Sequence, residues 1–353
     1  MTGVVAKAPR DFTYIPPRAR RVSEYEAVTC YTQPDPEVFD MQGWYLRTSE
    51  GRTAWQREST KLVHPHWFDF RDPASHWQRT YVRMQGEQER GIDRATEDAA
   101  SSGALREMDP TWLAEIVGGH YRVWSFLEYG LFRAFAPAQR EALSDTIGNV
   151  LCFEGVDRMR HAQAIVIYLM DLEGAVPGFR DAGGKQRWTD DPLYQPARGL
   201  IERLMLETTD WAELAVVTNL ILDPILAEVG LSQLVRGFGP FHGDSVTPLI
   251  VSTVERDRRR NLAWTEEFVR MVTGQSPRGR EVPAAEDNRA VIQQWLDVWT
   301  PLVLDATHAL APVYDLPPLQ VASFDDVLKR ALTRQEQIVS GLGLASGVPS
   351  WTT

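Results

Sequence analysis

The sequence predicts an all-α chain, a helical bundle entered by a long irregular N-terminal arm. Three observations carry that reading. Apolar residues recur at three- and four-residue spacing over most of the length, as in Leu113, Ile116, Val117, Trp124, Leu127 and Leu131. Almost no stretch alternates in the manner of a strand. The first 77 residues lack helical periodicity, yet they combine Pro16, Pro17, Pro34, Pro36, Pro65 and Pro73 with many aromatic rings.

The arm, residues 1–77, contains Tyr14, Tyr25, Tyr31, Trp44, Tyr45, Trp55, Trp67, Phe68 and Phe70. A disordered tail is poor in aromatics. Such a segment reads instead as one that lies on a surface, its own bundle or a partner, with at least part of it expected on a partner. Tyr25, Trp44, Tyr45, Trp55, Trp67, Phe68, Phe70 and Arg71 are the interface candidates. Residues 78–353 form the helical domain. Its first helix is expected over about 77–101. A second follows Asp109-Pro110, a good N-cap and first-turn pair. A third covers about 137–173, ending before Gly174 and Pro177, and a shorter helix lies near 193–207. The second half repeats the plan with helices over about 210–229 and 244–272. After a linker rich in Gly, Pro and charge (273–287), helices follow over 288–310 and 325–342. Two helix-pair halves result, about 110–173 and 210–272.

Composition narrows the function. With 353 residues and 43% hydrophobic content the chain can bury a sizeable core. The formal charge of −11 opposes binding to phosphate backbones, so no nucleic-acid partner is expected. Cys30 and Cys152 are too few for a disulfide framework or a zinc or iron–sulfur site. No signal-like N-terminus and no uncharged apolar run of membrane-spanning length are found, so the expected location is cytoplasmic and no membrane is involved.

The most informative feature is an internal repeat. Asp157-Arg158-Met159-Arg160-His161 and Asp257-Arg258-Arg259-Arg260-Asn261 both fit D-R-x-R-[HN] and sit on corresponding helices of the two halves. Each is preceded by a helix with a carboxylate on its apolar stripe, Glu128 in one half and Asp223 in the other. Helical spacing turns Val150, Glu154, Asp157, Arg158, His161 and Ile165 to one face, and Ile250, Val254, Asp257, Arg258, Asn261 and Phe268 likewise. The bundle therefore has a polar middle. Carboxylate-bridged di-iron sites are built in such a middle, from one Glu on each of two helices and Glu-x-x-His on each of two others. Here Arg158 precedes His161 and Arg258 precedes Asn261. Arginine is a permanent cation with no lone pair to offer a metal. The set Glu128, Arg158, His161, Asp223, Arg258 and Asn261 thus reads as degenerate ligand positions, holding a buried salt-bridge network in which the two arginines pair with Glu128, Asp157, Asp223 or Asp257. No metal or catalytic residue is expected in this chain.

Other motifs are weaker. His64-Pro65-His66 has no carboxylate cluster beside it and reads as a loop. The Gly183-Gly184 and Gly341–Gly343 runs lack a phosphate-loop Lys-Ser/Thr. Arg256, Arg259 and Arg260 are expected to spread around their helix, solvated or paired locally.

Ser23-Glu24-Tyr25-Glu26, then Phe70-Arg71-Asp72-Pro73 with Arg79-Thr80-Tyr81 and Gln85, and the two Asp-x-x-Arg motifs at Asp157 and Asp257 carry a family resemblance. The chain resembles the small (beta) hydroxylase subunit of bacterial multicomponent monooxygenases, soluble di-iron enzymes that oxidise alkanes, alkenes, toluene or phenol. The resemblance implies a ferritin-like fold that has lost its ligands. It implies a large (alpha) subunit as partner, carrying the di-iron centre, in a dimer of heteromers. It also implies a reductase delivering NAD(P)H-derived electrons and a small regulatory or coupling protein. This chain would bind no cofactor and brace the catalytic subunit. The competing reading is a self-sufficient ferritin-like enzyme or binding protein with an atypical site.

Overall fold

A computed structural model describes residues 15–30, 56–277 and 279–348. The arm residues Trp44, Tyr45 and Trp55 lie outside these. Among the described residues the longer elements are all helices. They are α1 (Glu24–Thr29), α2 (Gln78–Ser102), α3 (π-helical Trp112–Tyr121 continued by Arg122–Glu141) and α4 (Asp145–Ala175). They continue with α5 (Gly184–Asp190), α6 (Gln195–Leu206), α7 (Trp211–Val217 continued by π-helical Thr218–Arg236) and α8 (Thr247–Val272). The last are α9 (Ala285–His308) and α10 (Phe324–Ser340).

Local chemistry sets the boundaries. The Asp109 carboxylate accepts from the Thr111 and Trp112 amides at 2.8 and 2.9 Å and starts α3. Asp210 accepts from Ala212 and Glu213 and starts α7. Ser144 accepts from Ile147 N and starts α4. The break between α3 and α4 therefore falls just before Ser144, and Pro137, expected to open the third helix, stays inside the end of α3. Its missing N–H costs one bond near a terminus, while the buried neighbours Ala134, Phe135 and Ala138 keep the turn helical. The short α5 falls between the helices that the sequence predicts. It starts at Gly183, which takes φ +83. The ten residues of π-helix in α3 and the nineteen in α7 have no counterpart in a 3.6-residue pattern.

Helices α3 and α4 pack as a long pair, α7 packs on α8, and α7 is also covered by α9 and α10. Almost every α7 residue from Trp211 to Val235 is buried. The stretch Trp211–His242 is long and apolar enough to cross a membrane, with a mean hydropathy of 1.7, but 89% of that window is buried inside the bundle. Its partners are other helices. Pro224 brings no N–H to α7, and nearby Leu220 O accepts from the buried Gln335 amide of α10.

The stretch before α2 is tied to the same bundle. Ser59 Oγ donates to Glu141 O at 2.8 Å, Lys61 N donates to Asp210, and Val63 exchanges two hydrogen bonds with the Asn288 side chain. Phe68 and Phe70 are buried, and Trp67 packs on Trp211 and Phe268. Arg71 is buried with Glu26 and donates to Phe68 O and Phe70 O. Tyr25 is buried, its hydroxyl accepting from Asp72 N. The interface candidates Tyr25, Phe68, Phe70 and Arg71 therefore bury their side chains on this chain's own elements, and Trp67 stacks there half-buried.

Candidate functional site

The polar middle lies where α3, α4, α7 and α8 meet. Glu128, Glu154, Asp157 and Arg158 have no exposed surface, and His161, Asp223, Asp257, Arg258 and Asn261 are all buried. A charge that deep must be paired, and the pairing follows the repeat. Arg158, from the first half, donates to Asp223 of the second half through two bonds of 3.0 and 2.6 Å. Arg258, from the second half, donates to Glu128 of the first at 2.7 Å. Arg158 also reaches Glu154 at 3.1 Å and Glu128 at 3.5 Å, and Arg258 Nε lies 3.3 Å from Asp223.

The second layer repeats this exchange. Asp157 pairs with Arg260 of the other half, and Asp257 lies 3.5 Å from Arg160 Nη1. His161 Nε2 meets Asp257 at 3.1 Å, while Asn261 donates to Asp157 at 3.4 Å. Every polar position of the D-R-x-R-[HN] repeat thus reaches across to the other half. The expected network forms, with one difference in its wiring. Asp157 and Asp257 serve Arg260 and Arg160, not Arg158 and Arg258.

Several members were not singled out in the sequence. Arg260, expected to pair locally or face solvent, is 11% exposed; it does pair locally, with Asp257 at 2.9 Å, but it also reaches Asp157 of the other half and lies over the Tyr81 ring at 5.5 Å. It sits three residues after Asp257, so the same turn carries it over the layer. Gln85 of α2 donates to both Asp157 and Asp257, at 3.0 and 2.8 Å, and Tyr81 donates to Asp157 at 2.8 Å. Asn219 of α7 donates to Glu154 and to Thr265, each at 2.9 Å. The only advance signal for Tyr81 and Gln85 was their place in the quoted motif, because α2 is otherwise a strongly polar helix.

Five carboxylates (Glu128, Glu154, Asp157, Asp223, Asp257) face four arginines and one histidine. The sum is neutral when His161 carries a proton. Burial alone would raise the Glu128 carboxyl, but Arg158 and Arg258 outweigh it and hold it well below the usual range. Burial would lower His161, but its bonds to Asp257 and Glu128 prevail and raise it. Burial pushes Glu154 up to about 7, only partly offset by Arg158 and Asn219.

The donor set does not fit a metal ion. Guanidinium groups stand at the positions of two expected ligands and already hold the carboxylates that would remain. Among the described residues no three His, Cys, Asp or Glu side chains are placed to hold an ion.

Residues 44–276, which span both halves and the whole network, match the model of the methane/phenol/alkene hydroxylase family. The chain belongs to that family. Within the hydroxylases it is similar to the small subunit of the propane 2-monooxygenase hydroxylase component of Rhodococcus jostii strain RHA1, at 29% identity over 95% of this chain and 89% of that one. It is 30% identical to the methane monooxygenase component A beta chain of Methylococcus capsulatus strain Bath, over 81% of this chain and 74% of that one. The fold matches a chain of the xenon-pressurized phenol hydroxylase of Pseudomonas sp. OX1, with a TM-score of 0.77, 18% identity and 98% of each chain covered. This chain is thus a small hydroxylase subunit, part of a monooxygenase complex.

Proposed function

We propose that this subunit is architectural: it braces a large hydroxylase subunit that holds the di-iron centre, and it binds no iron itself. The observation that carries the reading is the burial of Arg158 and Arg258 in the polar middle, each bonded to the opposite half's carboxylate; we take these to be the lost ligand positions. Two permanent cations there repel a metal and leave it no free carboxylate. The complex would be a dimer of heteromers, served by a reductase and a small regulatory protein, and would oxidise a small hydrocarbon with O2. Support for the substrate class comes from relatives named for propane and methane. Support for bracing comes from a middle whose buried arginines are paired with carboxylates across the two halves. Iron analysis tests this. The chain purified by itself is expected to be iron-free, and in the active complex all iron should localise to the large subunit. Anomalous density at the iron edge among Glu128, His161 and Asp223 would overturn the reading.

A further inference from the structure

A cleft of about 320 Å3 opens between α7, α8 and α10 and reaches down to the edge of the ion network. Its lining is close to balanced in charge, with Arg236, Arg258, Arg259 and Arg334 against Asp223, Glu228 and Glu255. The rim charges are largely neutralised in pairs, Arg236 with Glu255 at 2.6 Å and Arg334 with Glu228 at 3.8 Å. An anion entering would meet three carboxylates and a cation four guanidinium groups, so the lining favours neither.

Among the buried lining atoms without a hydrogen-bond partner, Arg236 Nε and Glu255 Oε1 face each other and Arg258 Nε lies beside Asp223, which leaves Arg258 Nη1 and Asn219 Oδ1. Arg258, more than nine-tenths buried, uses Nη2 on Glu128 and leaves Nη1 without an acceptor. Asn219, 1% exposed, leaves Oδ1 without a donor. The amide's orientation is settled by its neighbours. Thr265 Oγ1 gives its own proton to Asn261 O and so accepts from Nδ2, which makes Oδ1 the free end. Leaving buried donors and acceptors unmatched is costly. Pro224, Leu262 and Ile338 supply the apolar part of the wall.

We propose that this cleft binds a small neutral molecule with one hydroxyl on a short apolar body. On an organic molecule a hydroxyl is the smallest group able to do both tasks, its oxygen accepting from Arg258 Nη1 and its proton being donated to Asn219 Oδ1. The hydrocarbon body lies against Leu262, Pro224 and Ile338. A molecule lacking the hydroxyl leaves both groups to water and gains nothing from them, so it binds more weakly. The site is independent of the bracing role and lies wholly within this subunit.

The test uses the assembled hydroxylase complex and fluorine NMR, with trifluorobutanol and trifluorobutane as probes. Binding in a partner's pocket contributes equally in all variants, so the readout is the part removed by filling the cleft. Leu262→Trp is expected to weaken trifluorobutanol binding by tenfold or more and to leave trifluorobutane unchanged. Ile338→Trp, on the opposite wall, does the same if the first variant assembles poorly. Crystals of the unsubstituted complex soaked in bromoethanol should show a bromine anomalous peak between α7, α8 and α10. Equal trifluorobutanol binding by the unsubstituted complex and the filled variants, an equal loss of trifluorobutane, or no bromine peak in the cleft would each overturn the proposal.

Discussion

Removing Arg158 tests the reading of the polar middle most directly. The side chain has no exposed surface and makes two bonds to Asp223, one to Glu154 and a longer one to Glu128. Arg158→Ala leaves Asp223 and Glu128 with only Arg258 and His161 nearby and leaves Glu154 with Asn219 alone. Breaking one partner out of a buried ion pair costs about 3–5 kcal/mol. Unfolding entropy of roughly 2.1 cal/mol/K per residue gives a chain of this length about 0.7 kcal/mol/K, so the loss should lower Tm by about 4–7 °C. Differential scanning fluorimetry of the complex measures it. Turnover per iron in the surviving complex should stay near normal, since no reacting group is removed from the partner. The double variant Arg158→Leu/Asp223→Asn should recover much of the Tm, because the strongest of the stranded charges is gone. A Tm within about 1 °C of the unsubstituted complex would refute the energetic argument. Lost turnover in a stable, fully iron-loaded complex would refute the architectural one.

Three further outcomes follow from the same geometry. Glu154 keeps its proton up to about pH 7, against an ordinary 4.5, so the folded chain holds an extra proton across that window and loses stability as pH rises through it. His161, raised above 6.5, acts in the same direction, its contribution full below 6.5 and lost as pH climbs through the folded value. Glu154→Gln should therefore gain on the unsubstituted chain between pH 5 and pH 7 by about 2 kcal/mol, and a constant Tm difference over that range would contradict the assignment. Gln85→Ala removes two bonds to carboxylates, each worth about 1.5–3 kcal/mol; hydrogen exchange should quicken in Gln78–Ser102 first, and uniform loss of protection would show that α2 is not held chiefly there. Alanine at Trp44, Tyr45 and Trp55 together should weaken assembly with the large subunit by roughly 2 kcal/mol or more, read by analytical ultracentrifugation, with unchanged assembly placing these rings elsewhere.

The helical plan was legible because its determinants are local. Asp109, Asp210 and the stripe through Trp124 and Leu131 act within a turn or two of where they stand. The inward run on α4 was legible for the same reason, since helical spacing alone carries Glu154, Arg158 and His161 to one face. Pairing partners were not. Arg260 meets Asp157 across 103 residues and Gln85 meets Asp257 across 172, and no local pattern encodes such distances. The π-helical turns of α3 and α7 were illegible too, because they arise where packing overrides the intrahelical bond pattern. The arm was half legible. Its aromatic anchors were visible, but Phe70 finds this chain's own helices, a choice that depends on Trp264 and Phe268 far along the sequence.

A network of this size is hard to justify by stability alone. Buried ion pairs replaced by well-packed apolar residues are often neutral or stabilising, so five carboxylates, four arginines and a histidine are an inefficient way to strengthen a bundle. Their geometry suggests what they do instead. Beside bonds within each half, Arg158 is matched to Asp223, Arg258 to Glu128, Arg260 to Asp157 and Arg160 to Asp257 from one half to the other. Sliding one half by a single helical turn, about 5.4 Å, would strand all four pairs at once, whereas an apolar seam would tolerate the slip at small cost. The network therefore fixes the register of α4 against α8 and holds α3 and α7 to both. A subunit whose task is to brace another needs that register, because its outer faces match a partner only when the helices behind them cannot shift.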